Sequence, residues 1–114
     1  MAVEKFEDLI VWQKAINLSL YIYKIFSNCR DFGFRNQIQR AGISISNNIA
    51  EGFERKSNKE FIYFLYVSKG SSGEVRSMSY LATKFKYINI EQYNYIKNNS
   101  IEISKMIHGL IKTL

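Results

Sequence analysis

The sequence predicts an all-α protein, an antiparallel up-down-up-down four-helix bundle, and three observations lead there. The 114 residues include no proline and six glycines, too few turn formers for a many-stranded fold. Apolar residues recur at steps of three and four along four separate segments, the spacing of one helical face. Short polar clusters with capping signals separate those segments. A chain this long makes one domain, residues 1–114, with a core that needs no metal or disulfide.

The first helix is expected from Asp8, as N-cap, to Ser27, with Phe6 packing back on its first turns. Its stripe is Trp12, Ala15, Ile16, Ser19, Ile22, Tyr23 and Phe26, widened by Leu9, Leu18 and Ile25. NCRDFG (28–33) turns the chain. The second helix, Phe34 to Gly52, aligns Ile38, Ala41, Ile45, Ile49 and Gly52. FERKSN (53–58) is the next turn, and Ser57 with Glu60 forms a capping box for a third helix, Asn58 to Phe85. Its middle, SKGSSG (68–73), has loop composition. The stripe Phe61, Leu65, Ser68, Ser72, Val75, Ser79 and Ala82 nevertheless keeps step across it, so the helix is expected to continue; a break at 69–73 is the alternative. The fourth helix starts at Ile90 behind Asn89 and Gln92 and runs to near Leu114. Tyr93, Ile96, Ser100, Ile103, Ile107, Leu110 and Leu114 form its seam.

Two further stripes carry the functional candidates. On the second helix Gln37, Arg40, Ser44, Asn48 and Glu51 stack on one side. They make either a buried polar network that fixes helix register or a recognition strip. Arg40 could reach Glu74, and Glu51 could bond a neighbouring helix. On the third helix Lys59, Tyr63, Tyr66, Gly70, Gly73, Ser77, Tyr80, Lys84 and Tyr87 form a face distinct from the core stripe. Its bare centre and aromatic flanks fit a subunit interface built from Tyr63, Tyr66, Gly70, Gly73 and Tyr80, or a platform for stacked bases. Arg55, Lys56, Lys69, Arg76 and Lys84 are the candidate phosphate contacts.

The net charge is +6. The excess sits between residues 30 and 87, where ten basic side chains accompany five acidic ones. A basic surface favours an anionic partner such as nucleic acid; lysine-rich solvated faces are the bland alternative. Cys29 is the only cysteine, which fits a reduced, cytoplasmic setting. The start MAVEKFED does not read as a signal peptide, and no apolar run spans a membrane.

Catalytic and metal chemistry lack their parts. His108 is the single histidine, no Glu-x-x-His pair suggests a di-iron site, and KGSSGE lacks the ending of a phosphate loop. No enzyme activity, cofactor or metal is expected.

The segments FEDLIVWQKA (6–15), QIQRA (37–41), SISNNIAEG (44–52), KGSSGE (69–74) and GLI (109–111) resemble the four-helix-bundle proteins encoded in intervening sequences of bacterial large-subunit (23S) ribosomal RNA genes. NIAEG after Gln37 and Arg40 carries most of the likeness. That family is in turn similar to the accessory proteins of diversity-generating retroelements. The resemblance implies a left-handed bundle, a ring-shaped homopentamer, and binding of RNA or DNA without an established enzymatic activity. The alternative is an adaptor for a protein such as a reverse transcriptase or nuclease. The chain departs from the family pattern at Ser46, where proline is usual, and at Phe34, where leucine is usual. The proline's absence predicts a milder kink in the second helix.

Overall fold

The computed structural model describes residues 3–114. Its four helices are α1 (Ile10–Ile25), α2 (Phe32–Phe53), α3 (Asn58–Lys84) and α4 (Ile90–Lys112), with no strand among the described residues. Each helix packs on its neighbours in sequence and α4 returns to α1, while among the described residues the backbones of the diagonal pairs stay farther apart. Gln37 meets Glu74 and Ser44 meets Ser71. Tyr80 meets Tyr93 and Ser72 meets Ser100. Lys14 meets Glu102 and Tyr21 meets Tyr95. In each pairing one residue number rises as the other falls, so these neighbours run in opposite directions. The four-helix bundle measures 43 × 21 × 20 Å. The 27 residues of α3, at about 1.5 Å each, account for its long dimension.

The start of α1 differs from the expectation. Asp8 is not an N-cap; it lies in one 3-10 turn, Phe6–Asp8, and Leu9 precedes α1 without a side-chain cap. The Phe6 ring sits edge-on to Trp12 and Phe53, with centroids 5.3 and 6.5 Å away. Anchoring that ring bends the chain at Leu9. The buried line of α1 is Val11, Ala15, Leu18 and Ile22, rotated from the expected stripe, and Tyr23 remains 45% exposed.

α2 begins two residues early because the Asp31 carboxylate accepts the Phe34 N–H at 3.1 Å. It continues unbroken through Ser46, whose hydroxyl donates to the Ile43 carbonyl. Phe34 packs against Phe26, Phe85 and Tyr87. Gly52 permits the close approach of α3: a Cβ there would lie 2.7 Å from Phe64 Cβ.

α3 is continuous through its serine-glycine middle. Its buried residues are Phe61, Leu65, Ser68, Ser72, Val75, Ser79 and Ala82, the stripe read from spacing. Two hydroxyls explain why a segment of loop composition holds. Ser68 Oγ donates to the Ile45 carbonyl at 2.7 Å, and Ser72 Oγ to the Ser100 carbonyl at 2.8 Å. Each buried donor is satisfied on a neighbouring helix, so the small side chains tie α3 to both α2 and α4.

α3 ends at Lys84, so Tyr87 does not extend its outer stripe. Lys86 takes φ 63°, while the Lys86 and Tyr87 N–H groups close onto the Thr83 and Ala82 carbonyls. That is a Schellman termination with lysine in the position that usually holds glycine. It turns Tyr87 toward Asp31. α4 starts at a complete Asn89–Gln92 capping box.

Candidate functional site

The polar stripe of α2 separates into parts. In its middle, Asn48 Nδ2 donates to Ser44 Oγ and to the Ser44 carbonyl, and Ser71 Oγ of α3 donates to Ser44 Oγ at 2.9 Å. This half-buried knot crosses from α2 to α3. The ends are not buried. Gln37 is exposed and donates to Glu74 at 3.2 Å. Arg40 is exposed and lines a shallow hollow with Tyr23 of α1. Among the described residues it forms no ion pair with Glu74, the partner that spacing suggested. Glu51 pairs with Arg55 one turn on at 2.7 Å rather than with a neighbouring helix. The stripe is thus a short cross-helix knot with solvated ends, not one buried network.

The outer stripe of α3 does gather a site. Tyr66, Lys69 and Arg76, with the bare backbone of Gly70 and Gly73 between them, form the α3 side of a groove of about 710 Å³. Ile101, Ser104, Lys105 and His108 of α4 form the other. Toward the start of α4 the groove continues into a smaller hollow of about 350 Å³, where Arg76 and Tyr80 face Tyr93 and Lys97. The Tyr80 and Tyr93 rings meet edge-to-face at 6.0 Å and close that end. Lys84 and Lys97 place their amines over Tyr80 and Tyr93, at 5.2 and 5.9 Å from the ring centroids. Gly70 and Gly73 leave the floor bare: a Cβ at either position would meet nothing within 4 Å.

The charge of this groove is one-sided. Among the described residues Lys69, Arg76, Lys97 and Lys105 line it and no carboxylate does. The two acidic residues beside it in sequence are held elsewhere, Glu74 by Gln37 of α2 and Glu102 by Lys14 of α1. Among the described residues none of the four cations has a salt-bridge partner. Uncompensated cations along a low-dielectric wall create a positive potential that draws anions.

Other candidates fall outside the groove. Arg55 is bound to Glu51, lies near Glu60, and stacks over Phe64. Arg55 and Lys56 line a separate hollow at the bundle end, beside Phe61 and Leu114. Tyr63 is 64% exposed and packs on Phe64. His108 lines the groove together with Lys69, Arg76 and Lys105, whereas Arg40 lines a different hollow and Glu51 is paired with Arg55. Sequence reading missed the α4 wall. Its signal was present: Lys97, Ile101, Ser104 and His108 step by four, three and four, but the apolar seam of α4 masked them. Among the described residues no cluster of His, Cys, Asp and Glu could hold a metal ion, and no helix is long and apolar enough to cross a membrane.

Residues 7–109 match the model of the 23S rRNA-intervening sequence protein family. The chain belongs to that family. A crystal structure of a protein of unknown function from the S23 ribosomal protein family of Bacteroides thetaiotaomicron is similar throughout. It is 32% identical, with a TM-score of 0.84, over 90% of this chain and 99% of that one. No curated protein matches. The family match spans both walls of the groove, and neither the family's description nor the neighbour's names a reaction.

Proposed function

We propose that this member of the 23S rRNA-intervening sequence family binds nucleic acid through the α3–α4 groove, without catalysis. The observation that carries the reading is the segregation of charge: four cations line the groove while Glu74 and Glu102 are engaged on α2 and α1. Phosphate binding through such side chains releases counterions and weakens as salt rises. With four contacts to a single strand, log K should fall with log salt at a slope of about −3. A filter-binding series tests this. Retention of RNA or DNA at low ionic strength that disappears with salt supports it; no retention of either at low ionic strength ends it.

A second reading draws on the glycines. The open space at Gly70 and Gly73 would admit a helix from another copy, bordered by Tyr63, Tyr66 and Tyr80, in a ring that the resemblance makes a pentamer. Light scattering that reports a monomer at micromolar concentration ends that reading. If the seam lies there, Gly70→Leu breaks the assembly without unfolding the chain. A protein partner retained at high salt would instead favour the adaptor role.

A further inference from the structure

We infer, resting on the nucleic-acid reading above, that the α3–α4 groove takes a single strand rather than a duplex, with a base stacked on Tyr66. Three features point there. The first is width. Two packed helices lie about 8–10 Å apart, whereas a duplex is broader than its own major groove of about 12 Å. The trough between α3 and α4 is thus on the scale of one strand rather than two. The second is the floor. At Gly70 and Gly73 the helix backbone is bare, so a sugar-phosphate chain can approach it closely. Lys69 and Arg76 on one wall and Lys97 and Lys105 on the other supply cations along its path.

The third is the aromatic distribution. Tyr80 and Tyr93 occupy each other and carry Lys84 and Lys97 over their rings. Tyr66, at the far end, is 54% exposed. Among the described residues it has neither an aromatic nor a cationic partner. A free tyrosine face beside a cationic trough is the stacking platform of sequence-tolerant single-strand binders. From Tyr66 to Tyr80 the groove runs about 21 Å along α3.

Fluorescence anisotropy at low salt tests this with labelled oligo-dT and oligo-U and with a blunt duplex of the same length. The expected result is single-strand binding at least about tenfold tighter than duplex binding. Tyr66→Ala should weaken binding to single strands by about tenfold, and Tyr66→Phe should restore it. Gly70→Leu, which fills the floor, should cost a similar factor while circular dichroism stays native. Equal affinity for dT and U means that the groove reads the strand alone, and a preference for one means that it also reads the 2′-hydroxyl or the 5-methyl group that distinguishes them; either supports the inference. Duplex bound as tightly as single strand, or wild-type binding by both Tyr66→Ala and Gly70→Leu, overturns it and leaves the broader nucleic-acid reading standing. Failure of every probe to bind overturns both. A fall in oligomer mass with Gly70→Leu assigns the groove to another copy and overturns it as well.

Discussion

Along α2 and α3 the chain uses glycine for two opposite purposes. At the α2–α3 seam, Gly52 removes a side chain that would otherwise collide with Phe64 and Phe61. Nearby, Ser68 and Ser71 close cross-helix hydrogen bonds to Ile45 and Ser44. On the α3–α4 side, Gly70 and Gly73 remove side chains that would have met nothing. The first region spends its small residues on packing; the second leaves a cationic trough uncovered. A bare helix position is therefore a packing device or a surface device according to what lies within 4 Å of its missing Cβ.

Substitution should separate the two regions by sign. The largest effect belongs to Gly52→Val. With a Cβ at 2.7 Å from Phe64 Cβ, α2 and α3 must part, at about 3 kcal/mol, seen as a fall in Tm of about 10 °C. A variant that melts with the wild type would remove the close-approach argument. Next is Ser68→Ala, which deletes a buried donor to the Ile45 carbonyl. Loss of that bond should cost about 1 kcal/mol, measurable by urea titration at unchanged m-value. Gly70→Ala runs the other way. The new methyl enters open space and helix propensity improves, so the chain should gain about 0.5–1 kcal/mol. Destabilisation by Gly70→Ala would mean that the groove is not open and would erase the contrast.

Much of the bundle was legible because its core stripes keep a strict step of three and four. On α3 the spacing named every buried position, serines included, because no other phase puts Phe61, Leu65, Val75 and Ala82 on one side. On α2 it named Ile38, Ala41, Ile45, Ile49 and Gly52 but missed Gly42 and Ser46. Gly42 is buried because Ile22 and Ser19 of α1 press on it, a contact that spacing within α2 cannot carry. The groove was half legible. Its α3 wall showed as a stripe. Its α4 wall, with Lys97, Ile101, Ser104 and His108 at helical steps, was hidden behind the stronger apolar seam of the same helix. Nor could spacing tell where Glu74 and Glu102 point, because their partners, Gln37 and Lys14, lie 37 and 88 residues away in sequence. That choice of partner is what leaves the groove positive.

The smallest predicted effect concerns the link between the two turns at one end of the bundle, far from both glycine regions. The Tyr87 hydroxyl donates to Asp31 Oδ2 at 2.7 Å, while Asp31 Oδ1 caps α2 at Phe34 N–H. The Tyr87 hydrogen bond, then the Phe34 N–H, hold the Asp31 carboxyl below its ordinary value of 3.8. The same bond to Asp31 leads the causes that raise the Tyr87 phenol above 10.0. Each shift fixes one edge of a window. Because the Asp31 value is depressed in the folded chain, its contribution is present above pH 3.8 and is lost as pH falls through the folded value. Because the Tyr87 value is raised, its contribution is full below pH 10.0 and is lost as pH rises through the folded value. Tyr87→Phe keeps the ring against Phe34 and removes only the hydroxyl. The stability difference between wild type and this variant, followed by urea denaturation across pH, should form a plateau that declines at both ends. Both groups are solvent-exposed, so the plateau should be low. A difference that does not change from acid to alkali would show that the hydroxyl works through packing and not through its bond to Asp31, and the acidic edge would then belong to the Phe34 cap alone.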